Sequence, residues 1–177
     1  NMPKAMIIEG LLDEKRIEAA FQKLLLRHEA LRTSFKVSNG NPVQQINHDT
    51  SIEMNVVNLK DEKLSDLVSN FIRPFDLSND QLIRLKLVKL KKNKYLFLID
   101  IHHIISDGYS INLMVNEFVQ LYEGKELPEL RFQYKDYAAW QNNLLKSERI
   151  EKQEQYWLNQ FAEEYPVLQL PTDYKRP

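Results

Sequence analysis

The sequence predicts an α/β fold in which a mixed, largely antiparallel sheet is flanked by helices. Short strand-like apolar runs alternate along the chain with longer segments whose apolar residues recur every three or four positions, as on one face of a helix. Two turn signals, Asn39-Gly40 and Lys92-Asn93, each separate two strand-like runs and so predict hairpins.

The composition is that of one ordinary globular domain. The chain has 177 residues, of which 43% are hydrophobic and 28% charged, with a formal net charge of −1. This charge argues against a nucleic-acid partner, and no apolar run approaches the ~18 residues that a membrane helix requires. The absence of Cys excludes disulfides, a thiol nucleophile and a thiolate metal site. We therefore expect a cytoplasmic protein without nucleic-acid or membrane partners.

The first half of the chain predicts a strand, a helix, a hairpin and a second helix. A strand is expected at residues 5–9, and Asp13 is expected to cap the following helix by accepting from its first-turn amides. The core-facing positions of that helix are Ile17, Ala20, Phe21, Leu24 and Leu25. After the hairpin, a strand is expected at 52–59. An amphipathic helix then begins near Leu64 and stops before Pro74, which disfavours helical geometry at the preceding residue.

The second half is organised around one buried strand. Residues 83–87 alternate as a half-buried strand does, whereas residues 95–101 are apolar at almost every position, which indicates burial on both faces. A third helix follows the segment 102–108, with Ser110 as its expected cap and Gly124 as its stop. Two further helices, rich in aromatic residues, complete the chain.

The segment HHIISDG at residues 102–108 joins the buried strand to the third helix. Because successive strand side chains point to opposite faces, His102 and His103 are not expected to serve the same atom. One would face the interior and the other a cleft. Asp107 and Gly108 then turn the chain, and the glycine is expected to supply backbone freedom.

This segment, extended by Tyr109-Ser110, resembles the active-site motif of the condensation domains of nonribosomal peptide synthetases, which belong to the chloramphenicol acetyltransferase-like acyltransferases. Further stretches resemble the same family: RHEALRTSF at 27–35, FDL at 75–77, YKDYAAW at 134–140 and LPTDYKRP at 170–177. Gln81 and Tyr109 stand where many relatives have Pro and Trp. The resemblance implies that residues 1–170 form the N-terminal, chloramphenicol acetyltransferase-like lobe of a condensation domain. Residues 171–177 would begin the connection to a missing C-terminal lobe.

The resemblance also assigns roles to individual residues. It implies that His103 is catalytic, either as a base or by positioning the amine, and that the Gly108 backbone amide stabilises the oxyanion. Ser110 is a weaker, substrate-binding candidate. His102, Asp107 and Arg32 would support the site, with Asp107 paired to Arg32 or, next in order, Arg27.

The remaining histidines are not interpreted as site residues, and a metal site is not favoured. His28, at a helix end, and His48, in a polar loop, are interpreted as surface residues. A metal bound by His102, His103 and Asp107 is disfavoured, because neighbouring residues on opposite strand faces cannot easily share one ion.

The implied reaction is formation of a peptide (amide) bond between an upstream aminoacyl or peptidyl thioester and a downstream aminoacyl amine. Both would be carried on 4′-phosphopantetheine arms of peptidyl carrier domains, and an adenylation domain of the same megaenzyme would perform the ATP chemistry. The chain itself would bind no cofactor, and this fragment alone is expected to be inactive. Two alternatives remain, a stand-alone coenzyme A-dependent acyltransferase of the same superfamily and a non-catalytic module that docks carrier proteins.

Overall fold

The computed structural model describes residues 1–59, 63–163, 170–171 and 173–175. The chain divides into two compact units, Asn1–Tyr134 and Lys135–Pro177. Three residues of the predicted inter-lobe connection, Thr172, Arg176 and Pro177, lie outside the described residues.

The strands form one four-stranded sheet and one separate hairpin. They are β1 (Met2–Glu9), β2 (Thr33–Ser38), β3 (Asn41–Ile46), β4 (Met54–Asn58), β5 (Ile83–Lys91) and β6 (Lys94–Ile101). The sheet has the order β1-β6-β5-β4, with β6 antiparallel to both neighbours and β4 parallel to β5. β2 and β3 form the hairpin at Asn39-Gly40, where both turn residues have positive φ, 51° and 78°. The predicted mixed, largely antiparallel sheet is therefore confirmed.

Within the part of the chain that the structure describes, five α-helices connect or follow these strands. They are α1 (Glu14–Arg27), α2 (Leu64–Phe71), α3 (Gly108–Tyr122), α4 (Tyr134–Leu145) and α5 (Glu148–Gln160), and short 3-10 helices span Glu29–Arg32 and His103–Ile105. Asp13 caps α1 as predicted, its Oδ1 accepting from the Arg16 amide at 3.0 Å. Gly124 follows α3 with a φ of 85°, as a helix stop requires. None of these helices has both the length and the apolar composition needed to cross a membrane.

The central strand β6 is buried on both faces and holds the first unit together. On one face, Phe97, Ile99 and Ile101 belong to the core that α1 and α3 cover. On the other face, Leu96 and Leu98 pack with residues of α2. Helices thus flank the sheet on both sides, which confirms the predicted layers and leaves the end of β6 at a rigid point from which the segment 102–108 extends.

The second unit contains the two aromatic-rich helices, α4 after its first residue and α5. Ring contacts occur within each helix: Tyr137 lies 5.6 Å from Trp140 in α4, and Trp157 stacks on Phe161, just past the end of α5, at 6.1 Å. The two predicted helices are therefore present, and each has its own aromatic face.

Candidate active site

A cleft of about 340 Å³ opens in the first unit beyond the end of β6. One wall comes from the end of α1, the following 3-10 helix and the start of β2, and the other from the segment 103–107 and the first turns of α3. Its polar lining includes His28, Thr33, His103, Ser106, Asp107 and Ser110. Three of the residues singled out from the sequence, His103, Asp107 and Ser110, therefore lie on one cavity, whereas His102, Gly108 and Arg32 do not line it.

His102 lies just beyond the strand and is partly buried. Its backbone amide donates to the Leu82 carbonyl at 2.9 Å, and its Nδ1 accepts from the Ile104 amide at 3.0 Å. Because Nδ1 accepts, the proton of the neutral ring is on Nε2. Burial lowers the pKa of His102, with a further contribution from neighbouring His103, so the neutral form is favoured. These contacts fit the supporting role predicted for this residue.

The side chain of His103 does not share the partly buried environment of His102, as the sequence suggested. It is the first residue of the 3-10 helix His103–Ile105, its side chain is exposed, and it lines the cleft. Of the adjacent histidines, one is therefore fixed by backbone contacts and the other is accessible to a ligand. The separation arises from the 3-10 turn rather than from strand alternation, because β6 already ends at Ile101.

The prediction that Asp107 pairs with Arg32 or Arg27 is wrong. Asp107 is exposed and caps α3, its Oδ1 accepting from the Ser110 amide at 2.8 Å and from the Ser110 hydroxyl at 2.6 Å. These bonds, led by that of the hydroxyl, lower the pKa of Asp107. The carboxylate is stabilised by helix-end donors, so it needs no buried cation.

The two arginines have other partners. Arg32 donates to the Asn47 carbonyl at 3.0 Å and lies 3.6 Å from Glu29, which ties the 3-10 helix to the end of the hairpin. Arg27 contacts the Glu117 carboxylate at 3.2 Å and donates to the Pro128 carbonyl at 2.6 Å. Arg32 therefore supports the wall that carries Thr33, and not the loop of Asp107.

Two expectations about the start of α3 also need correction. Asp107 caps the helix instead of Ser110, because the helix begins at Gly108 and Ser110 is its third residue. The Ser110 hydroxyl proton is engaged by Asp107, so this side chain presents only its oxygen lone pairs to the cleft. Gly108 is not among the glycines with positive φ, and a Cβ there would meet open space. Its backbone does not require glycine for a turn.

The expectation that His28 is a surface residue is also wrong. Its side chain is 20% exposed, and its Nε2 lies 2.5 Å from Oε2 of Glu117, whose side chain is only 9% exposed. Glu117 was not singled out from the sequence. The available signal was its position three residues after Met114 and one before Phe118, which places an acidic residue on the apolar face of α3.

A second buried carboxylate, also missed, lies inside the sheet. Asp100 is fully buried on β6 and faces Arg84 of β5, with 3.6 Å between Oδ2 and Nη1. Arg84 in turn lies 3.6 Å from the Phe75 ring centroid and donates to the carbonyls of Arg73 and Pro74. The FDL segment is thus held against the sheet by an arginine that also neutralises a buried acid.

In the described part of the chain, no three His, Asp or Glu side chains come together as metal ligands. The cleft presents the exposed imidazole of His103, a capped carboxylate and apolar walls, which together suit binding and proton transfer on an organic substrate.

Comparison with known proteins places these features in a family. The sequence model of the condensation domain matches residues 1–177. Gramicidin S synthase 2 of Brevibacillus brevis and tyrocidine synthase 3 of Brevibacillus parabrevis are 49% and 50% identical over 177 residues. The matches cover all of this chain but only 4% and 3% of those relatives.

Solved structures agree with the sequence match. The X-domain from teicoplanin biosynthesis superposes with a TM-score of 0.82 at 28% identity, covering 99% of this chain and 42% of that one. The epimerization domain from the third module of tyrocidine synthetase B gives a TM-score of 0.78 at 25% identity, covering 98% and 43%. The fold, the site segment and the match over the whole sequence show that this chain belongs to the condensation-domain family.

Proposed function

We propose that this chain takes part in forming a peptide bond between a thioester-bound aminoacyl or peptidyl donor and the amine of an aminoacyl acceptor. The observation that carries the proposal is the exposed imidazole of His103 on the wall of the cleft, at the end of a strand buried on both faces. The family match and the relatives named as gramicidin S and tyrocidine synthases support it.

The reaction requires no cofactor chemistry within the cleft. The acceptor nitrogen attacks the thioester carbonyl carbon, the carbon–sulfur bond breaks, and the sulfur leaves as a thiol after gaining the proton that the amine loses. An imidazole can carry that proton near neutral pH, and holding both reactants in line can supply about 7–11 kcal/mol of the barrier. His103 is the proposed residue for either task.

Three neighbouring groups are proposed to assist. The amide of Gly108 has no hydrogen-bond partner among the described residues, and it is proposed to donate to the oxyanion from the first turn of α3. Asp107 fixes the first turn of α3 and thereby this amide. Ser110 is proposed to contact substrate through its oxygen lone pairs, because its proton is already donated.

The proposed reaction partners lie outside this chain. Donor and acceptor would be held on 4′-phosphopantetheine arms of upstream and downstream carrier domains, with an adenylation domain in the same synthetase. Residues 1–170 would be the N-terminal lobe, and residues 171–177 would lead to a C-terminal lobe that supplies the second wall for the arms. The solved X-domain chain, of which this chain covers 42%, supports that division. The isolated chain is therefore proposed to fold without catalysing condensation.

The test uses the full-length protein that carries this chain, with donor and acceptor loaded on its carrier domains. We expect dipeptide release from the loaded carriers and no product when the donor is offered as a free coenzyme A thioester. Equal turnover of the coenzyme A thioester would favour the stand-alone acyltransferase. Carrier binding without any product would favour the docking module.

A further inference from the structure

The cleft is lined by a second histidine, His28, which comes from a different part of the chain than the segment that carries His103. Residues of the first wall belong to the end of α1 and the start of β2, and residues of the second wall belong to the 3-10 helix after β6 and to α3. His28 and His103 both line the same 340 Å³ cavity. A ligand held in it would contact one histidine from each side.

The ring of His28 is fixed by Glu117 of α3. Nε2 of His28 lies 2.5 Å from Oε2 of Glu117, and the same oxygen lies 3.2 Å from Nε of Arg27. The Glu117 oxygen that faces the Arg27 guanidinium acts as an acceptor, so Nε2 of His28 is assigned as a donor to it.

In the neutral ring, this arrangement leaves Nδ1 of His28 as a hydrogen-bond acceptor. Among the described residues Nδ1 has no partner, and the side chain keeps 20% of its surface exposed although its carboxylate partner is only 9% exposed. A buried acid that orients an accessible ring is the arrangement by which proteins select one histidine tautomer. His28 is one of the residues that line the cleft.

We propose that Nδ1 of His28 binds the α-amine of the acceptor by accepting one of its N–H hydrogens, while Glu117 fixes the tautomer that makes this possible. The inference rests on the proposed function, because an aminoacyl acceptor is its substrate. The cleft volume lies at the lower end of the range for ligand pockets and suits an aminoacyl group. The amine is the N–H donor of such a group, and His28 presents an acceptor atom. His28 is thus a substrate-binding residue and Glu117 a positioning residue.

His28→Gln is the decisive variant, measured in the full-length protein with the acceptor concentration varied. Its amide N–H can replace Nε2–H as the donor to Glu117, but it has no acceptor at the place of Nδ1. We expect the KM for the acceptor to rise about fivefold with little change in kcat, as for the loss of one neutral hydrogen bond made equally in ground and transition states. His48→Gln, in an exposed loop outside the cleft, is the matched control and should leave both constants unchanged.

A folded His28→Gln protein with the wild-type KM would overturn the proposal, since a purely structural link to Glu117 survives in that variant. Should His28→Gln fail to fold, Glu117→Gln decides, because an amide can donate to or accept from the ring and no longer fixes its tautomer. We expect a smaller rise in KM, about threefold, and an unchanged KM would again overturn the proposal. Absence of any condensation by the wild-type protein would instead refute the proposed function and this inference with it.

Discussion

Two aspartates near the end of β6 are stabilised in opposite ways. Asp100 is fully buried within the sheet, where its Oδ2 faces Arg84 and accepts from the Asn1 side-chain amide, whereas Asp107 is exposed and accepts from the first turn of α3. Burial raises the pKa of Asp100, although Arg84 opposes that shift, while the hydrogen bonds from Ser110 lower the pKa of Asp107. The aspartate carboxylate is therefore unfavourable as a buried charge at position 100 and favourable as a helix cap at position 107.

Asp100 therefore belongs to the buried sheet that supports the site, whereas Asp107 belongs to the exposed segment beside His103. Asp100 and Arg84 join two strands and the FDL segment from the inside, so this pair acts on the stability of the whole sheet. Asp107 and Ser110 shape a short exposed segment next to His103 and leave the sheet untouched. Substitutions at the two places should therefore lower the stability to different extents.

The largest effect on stability is expected for Arg84→Met, which keeps most of the packing on Phe75 but leaves Asp100 buried without a cation. The free energy of unfolding should fall by about 3–5 kcal/mol, as measured by equilibrium denaturation. Loss of Arg84 also raises the pKa of Asp100 further, so the folded state holds a proton that the unfolded chain releases above its pKa of about 3.9. The loss of stability should consequently be larger at pH 7 than at about pH 5.

The double variant Arg84→Met/Asp100→Leu provides the control. Replacing a whole buried ion pair by apolar residues is often nearly neutral, so the double variant should be more stable than Arg84→Met alone. If the single and double variants were equally unstable, the cost would come from lost packing or from the contacts of Arg84 with Arg73, Pro74 and Asp80, and the role assigned to the pair with Asp100 would be wrong.

A smaller effect is expected for Asp107→Ala, which removes a helix cap and no buried pair. The loss of stability should be roughly a third of that of Arg84→Met, because capping interactions are weaker than a broken buried pair. Asp107→Asn retains a capping oxygen and should be close to wild type. A destabilisation by Asp107→Ala as large as that of Arg84→Met would instead support the buried ion pair of Asp107 that the sequence suggested.

The smallest expected effect is a change in the pKa of Asp107. Ser110→Ala removes the hydroxyl that contributes most to the lowered pKa of Asp107, so that pKa should rise towards its ordinary value. A carboxylate with a lowered pKa stabilises the folded state above its unfolded pKa and loses that contribution as the pH falls. Ser110→Ala should therefore lower the stability slightly at neutral pH, and the difference from the wild-type protein should shrink as the pH falls through the unfolded pKa of about 3.9. An unchanged Asp107 titration, followed by NMR, would show that the hydroxyl does not bind the carboxylate in solution.

Local patterns predicted most of the fold. The Asn39-Gly40 hairpin, the Asp13 cap and the doubly buried β6 follow from turn chemistry, capping and apolar composition, which act over a few residues. The parallel pairing of β4 with β5 was not specified, because it depends on contacts between segments that α2 separates in sequence.

Ion-pair partners could not be predicted in the same way. The sequence marked Asp107 and Arg32 as charged residues near a motif, but a charge is paired by whichever donors the fold brings within reach. For Asp107 these are the helix amide and hydroxyl three residues later, and for Arg32 a glutamate three residues earlier. The acids that do bind buried or half-buried cations, Asp100 and Glu117, are recognisable afterwards as acidic residues at core positions of a strand and a helix.

The central claim is that the exposed His103 performs the chemistry, while the buried residues of the sheet only position it. The variant His103→Ala tests this claim most directly. The rate of peptide-bond formation from loaded carriers should be measured in single turnover, together with the free energy of unfolding. We expect the rate to fall about 10²–10⁴-fold with unchanged stability, since His103 makes no buried contact. A rate equal to that of the wild-type protein in a stable His103→Ala variant would contradict the account.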